Sequence, residues 1–248
     1  MRTANPALTE SVFTGSVSSA AGDRMTINGT VNRAGFLVLL LIAAAWFSWT
    51  RSAPAPGTTT ISANPFMLIG LFGGLIVAFI TIFKKTLAPY TAPVYAVLEG
   101  LFLGGLSAMF ELRYPGIAAQ ATFATFGTLG ALLLSYRSGI IKATENFKLG
   151  VFAATGGIFV LYLISMVLGF FGKSIPFIHE SGAIGIGFSV FVVIIAALNL
   201  VLDFDFIENG AAMGAPKYME WYAAFGLLVT LVWLYIEILR LLSKLRSR

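Results

Sequence analysis

Four carboxylates sit where a carboxylate is expensive. Glu99 lies inside YAVLEGLFLGG, Asp203 and Asp205 close the run AIGIGFSVFVVIIAALNLVLDFDF, and Glu237 lies inside VWLYIEILRLL. A charge near the centre of a bilayer is costly, so such residues face the bundle interior or a wet cavity and mark ion paths or proton relays. Two carboxylates that share a site cannot both ionise easily, so a pair holds a proton and responds to pH. Carboxylate oxygens are also the ligands calcium prefers. The chemistry on offer is the binding and release of protons or cations, with no turnover reaction.

Each acid also has a plainer reading. Asp203 and Asp205 could simply end a helix at the membrane edge. Two residues apart on a helix they point in nearly opposite directions, so at most one is expected to face the core. Glu237 could pair locally with Arg240 and be structural. Glu99 could be neutral and hydrogen-bonded between helices.

The elements that must position these acids are membrane spans. Of the 248 residues, 58% are hydrophobic and 11% charged, and the mean hydropathy is +0.88. A soluble domain could not cover that much apolar surface, and a helical span needs roughly 20 apolar residues. Apolar stretches fall at about 34–50, 65–83, 90–110, 117–136, 149–172, 183–207 and 219–243. Long continuous runs exclude a β-barrel, whose strands alternate. The expected fold is an all-α integral membrane protein with seven transmembrane helices over 34–243. A flexible polar tail precedes it at 1–33 and a short basic tail follows at 244–248. Residues 1–33 lack the apolar core of a cleavable signal peptide. The segment SAPAPGTTTISANP reads as an extended loop.

Loop charges set orientation. With the N-terminus inside, the inner side carries Arg2, Arg24, Arg33, Lys84, Lys85, Arg137, Lys142, Lys148 and Lys217, against Arg51, Arg113 and Lys173 outside. Nine against three places the N-terminus in the cytoplasm. Seven full spans then put Arg240, Lys244, Arg246 and Arg248 outside, against the rule. The net charge of +5 sits in loops and tails, so no nucleic-acid partner is expected. Gly70 with Gly74, and Gly100 with Gly104, are spaced four apart, which lets helix backbones approach closely within the chain.

Several chemistries lack their residues. A retinal protein needs a lysine within the last span, and residues 219–239 hold none. The only histidine is His179, in the loop KSIPFIHESG, so neither haem ligation nor a serine–histidine intramembrane protease is available. The Gly-x-Gly-Asp context of an intramembrane aspartyl protease is missing, as are nucleotide-binding glycine loops. With no cysteine there is no thiol or disulfide chemistry. No cofactor is expected.

Several stretches together resemble the Bax inhibitor-1 (lifeguard) family, on its bacterial side. They are Phe204-Asp205 followed by FIENG, Leu234-Tyr235-Ile236-Glu237-Ile238 with glutamate where the family has aspartate, and EGLFLGGLSAMFE in the third span. The resemblance covers most of residues 34–243. It implies seven helices with the last one central in the bundle, and a pH-sensitive calcium leak across the bacterial inner membrane. It also implies that Asp205 and Glu237 are a proton-sharing pair on the sixth and seventh spans that gates the path and could hold calcium transiently. Asp203 is then a competing partner, and Glu99 a further oxygen. The expected partners are the lipid bilayer and calcium or other cations, with the chain a monomer or weak homo-oligomer. A proton-coupled transporter using the same acids, or a non-transporting membrane interaction protein, are the other readings.

Geometry tests the pair. If the last span starts at 219 and the sixth ends at 207, Glu237 lies 18 residues up the next helix (237 − 219), roughly 27 Å from Asp205 at about 1.5 Å per residue. Pairing requires the sixth helix to run on to about Ala212. It also requires residues 217–225, with Trp221 and Tyr222, to lie along the interface so that the last span begins near Gly226.

Overall fold

A computed structural model describes residues 24–52, 65–172 and 182–247. The tail up to residue 23, most of the proline-rich linker, Lys173, His179 and Arg248 lie outside the described residues. Seven helices are long and apolar enough to cross a membrane: α1 (Ile27–Ser52), α2 (Pro65–Phe83), α3 (Ala88–Arg113, preceded by one 3-10 turn), α4 (Ile117–Arg137), α5 (Glu145–Phe170), α6 (Ala183–Ala212) and α7 (Met219–Arg246). No strand occurs among the described residues. The expected all-α class and seven spans hold.

Where helix ends depart from the apolar runs, local capping explains it. Thr26 accepts the Gly29 N–H through its hydroxyl at 3.0 Å, so α1 starts at Ile27 rather than near 34. Thr144 accepts the Phe147 N–H at 3.3 Å, so α5 starts at Glu145 and takes Lys148 into its first turn. The sixth helix does outlast its apolar run. It stops at Gly214, whose φ is 67°, with Ala215 N–H on Gly210 O and Gly214 N–H on Ala211 O, the paired bonds of a glycine-terminated helix end. The last helix, by contrast, is continuous from Met219 with no break near Gly226. Tyr222 is fully buried rather than interfacial. The C-terminal residues up to Arg246 belong to α7 rather than to a separate tail.

The described residues fall into two compact units. The first holds α1, α2, α3 and the start of α4 to Ala118, with Phe206–Val229. The second holds α4 from Ala119, α5, α6 as far as Asp205, and α7 from Thr230.

In the first unit the glycine pairs are packing devices. A β-carbon on Gly100 would collide with the Leu41 carbonyl of α1, one on Gly104 with the Ala45 carbonyl, and one on Gly70 with the backbone of Leu98 and Phe102. The start of α1 is also fastened to the start of α7. Met25 N–H donates to Ala215 O at 2.6 Å. The buried Glu220 carboxylate accepts the Thr26 N–H and hydroxyl, each at 2.9 Å, and pairs with Arg33 and Lys217. Arg33 in turn lies over the Trp221 ring.

The second unit packs α5, α6 and α7 through Val151 with Leu202, and through Ile158, Val192 and Ile195 with Trp233.

Gly104→Ala should therefore lower the unfolding midpoint in detergent by the equivalent of about 1–3 kcal/mol of overpacking. Gly127→Ala, with open space around its added carbon, should leave the midpoint unchanged or raise it slightly.

Candidate functional site

Helix α6 carries the two aspartates between two neighbours. Asp205 meets α5, where Lys148 Nζ lies 2.9 Å from Oδ2. Both side chains are largely shielded, at 6% and 15% exposure. Lys148 also reaches Glu145 at 3.3 Å, on the exposed end of the same helix. Asp203 points the other way, to α7. It is 1% exposed. The Thr230 hydroxyl faces it, yet neither of its oxygens has a well-formed hydrogen-bond partner. Two residues on a helix are about 200° apart, which is why one aspartate alone was expected to face inward. Both are interior because α6 has a helix on each side.

Glu237 belongs to a different cluster. Tyr162 of α5 donates its hydroxyl to both carboxylate oxygens at 3.1 Å. Arg240, one turn on, reaches those oxygens at 3.1 and 3.2 Å and donates to the Tyr162 oxygen at 2.6 Å, while its guanidinium lies over the Tyr162 ring. Trp233 adds a further donor. The local pairing with Arg240 is thus present, and the carboxylate is fully satisfied.

The helix register explains why Asp205 and Glu237 do not pair here. Lys244 of α7 donates to Ser189 Oγ at 2.8 Å and to Gly185 O at 3.0 Å on α6. The Lys244–Ser189 and Thr230–Asp203 contacts share one antiparallel register, since 244 − 230 and 203 − 189 are both 14. On that register Glu237 lies level with Ala196, nine residues from Asp205, or about 14 Å along the axis. The extension of α6 to Ala212 removes part of the expected separation but not all of it. The carboxylate that α7 does meet is Asp203, through Thr230. Glu99 lies in the other unit, on α3 against Gly74 of α2.

Sequence reasoning missed Lys148, Tyr162 and Thr230. Lys148 was signalled by Thr144-Glu145, a cap followed by an acid, which draws the lysine into α5. Tyr162 and Thr230 carry no local signal, because only the register gives them their neighbours. The C-terminal cations that run against the orientation rule are engaged in this unit: Arg240 with Glu237, Lys244 with Ser189 and Gly185, and Arg246 with Gln120 at 2.9 Å.

These features define a polytopic helical membrane protein with ionisable side chains threaded through three of its helices. The sequence profile of the Bax inhibitor 1 like family matches residues 5–247, so the chain belongs to that family. No curated protein and no solved structure matches it.

The Lys148–Asp205 pair gives a direct test. Lys148→Met strands a buried carboxylate and should destabilise the chain by about 3–5 kcal/mol in thermal unfolding. Lys148→Met with Asp205→Asn removes both charges and should recover most of that loss.

Proposed function

We propose that this membrane protein is a pH-sensitive passage for calcium or similar cations in a bacterial inner membrane, with its N-terminus in the cytoplasm, and that Asp203 is the acid on which it turns. The reading is supported by family membership, by the family's resemblance to calcium leak pathways, and above all by one observation. Asp203 is fully buried in a span, and among the described residues no counter-charge touches it and neither oxygen has a well-formed hydrogen-bond partner. An ionised carboxylate buried without a partner costs several kcal/mol, so the site is completed by a proton or by a cation. With a proton, Asp203 can donate to the Thr230 hydroxyl and the helices α6 and α7 stay closed on each other. Without one, it offers two hard oxygens of the kind calcium takes. Asp205 and Glu237 keep their places on the path with their charges offset by Lys148 and Arg240.

That offset favours a second reading, a proton-coupled transporter. Fixed ammonium and guanidinium groups on the path oppose free calcium flow, and Asp203, the acid of this path without a counter-charge among the described residues, suits the binding of one proton per cycle.

The test is calcium entry into proteoliposomes of purified protein across pH, with proton movement recorded in parallel. Asp203→Asn should reduce the pH-dependent flux about tenfold or more, the effect of losing ~1.4 kcal/mol at the site. Saturable calcium flux with stoichiometric proton movement would select the transporter. Flux that is unaltered in Asp203→Asn would remove this residue from the mechanism. No flux from correctly folded protein would end both readings and favour an interaction role.

A further inference from the structure

The acid left over is Glu99, which belongs to the first unit and takes no part in the thread through α5, α6 and α7. It stands midway along the span Lys85–Arg113, 14 residues from either end (99 − 85 and 113 − 99). At about 1.5 Å per residue that is roughly 21 Å from each, more than half the ~30 Å hydrocarbon thickness. Its seat is a notch. Gly74 of α2 has no side chain, and Glu99 Oε2 lies 2.9 Å from where a β-carbon would be. The packed neighbours offer no charge. Helix α2 contains no ionisable residue. The α1 residues against α3 at this level are Leu41, Ala44 and Ala45. On α3 itself Tyr95 is the titratable neighbour, and Tyr95 packs its ring against Phe225 of α7 at 4.9 Å. No hydrogen bond or ion pair joins Glu99 to another described residue. Glu99 is half-buried, so it is screened from bulk water without being sealed in.

A carboxylate in that setting needs a positive partner that the described residues do not supply. A calcium ion takes 6–8 oxygens, and the notch brings one carboxylate. A proton needs one oxygen. We propose that Glu99 is a proton-binding site of the membrane interior, a carboxyl group that carries its proton in the Gly74 notch and exchanges it independently of the acids on α6 and α7. The first unit then has its own proton-responsive element, whether or not the second conducts cations.

A protonated carboxyl in an apolar setting reacts with an apolar carbodiimide. Its O–H adds across one C=N bond to give an O-acylisourea, which rearranges to a stable N-acylurea; the full mass of the reagent is retained, nothing leaves, and no oxidant or reductant is involved. The full chain in lipid vesicles is treated with dicyclohexylcarbodiimide or with a water-soluble carbodiimide over a range of pH, and the modified peptides are read by mass spectrometry. Glu99 should be modified by the apolar reagent in preference to the soluble one, and the label should decline as pH rises. It should be lost in Glu99→Gln. Glu145, whose side chain is 77% exposed, serves as the control that the soluble reagent is active. Glu99 unmodified by the apolar reagent at every pH, or modified equally by both reagents with no pH dependence, overturns the proposal. The readout is chemical and uses the unaltered chain, so failure of the cation-passage reading would leave it standing, and the reverse.

Discussion

A charge shielded between helices must be matched from within the protein, and the pairing of Lys148 with Asp205 is where this chain meets that demand most directly. The pair ties the start of α5 to the polar part of α6. From there the two helices run antiparallel in a steady register, with Val151 against Leu202, Asn199 donating to Thr155, and Ile158 against Ile195. Water would accept either charge at little cost. Shielded between the helices, each charge is offset by the other, with Glu145 adding to Lys148, so the polar contact fixes which residues of the apolar faces must meet.

The same constraint sorts the remaining acids. Glu237 gathers Tyr162, Arg240 and Trp233 around itself, a closed cluster that holds α5 to α7. Glu220, in the other unit, gathers Thr26, Arg33 and Lys217 and closes α1 onto the beginning of α7. Both are buried carboxylates with a structural explanation. Asp203 and Glu99 have none. The charged partners of Glu237 and Glu220 give the two exceptions their meaning, since native structures pair nearly all buried polar groups. One exception is enclosed beside Thr230, and the other rests in a glycine notch facing apolar helices.

The spans, their number and most of their limits could be read directly, because an apolar run of membrane length has one stable outcome. The glycine pairs on α2 and α3 were legible too, since small residues four apart have a geometric purpose. Lys148 was hidden by counting it as a loop residue when a threonine cap draws it into a helix. The pairing of Asp205 with Glu237 was the harder matter. It depended on the offset between two antiparallel helices, which neither residue encodes locally, and a shift of two residues on α6 turns a side chain from one neighbour to the other. Asp203 rather than Asp205 meets α7 for that reason alone.

That register is open to direct measurement, because the chain has no cysteine of its own and engineered pairs report without background. A disulfide forms readily only when the two Cα atoms are within about 7 Å. In lipid, Asp203→Cys with Thr230→Cys should cross-link under mild oxidation, and Asp205→Cys with Glu237→Cys should stay reduced. Efficient cross-linking of the second pair, with none in the first, would place Glu237 opposite Asp205 and contradict the register on which the role of Asp203 rests.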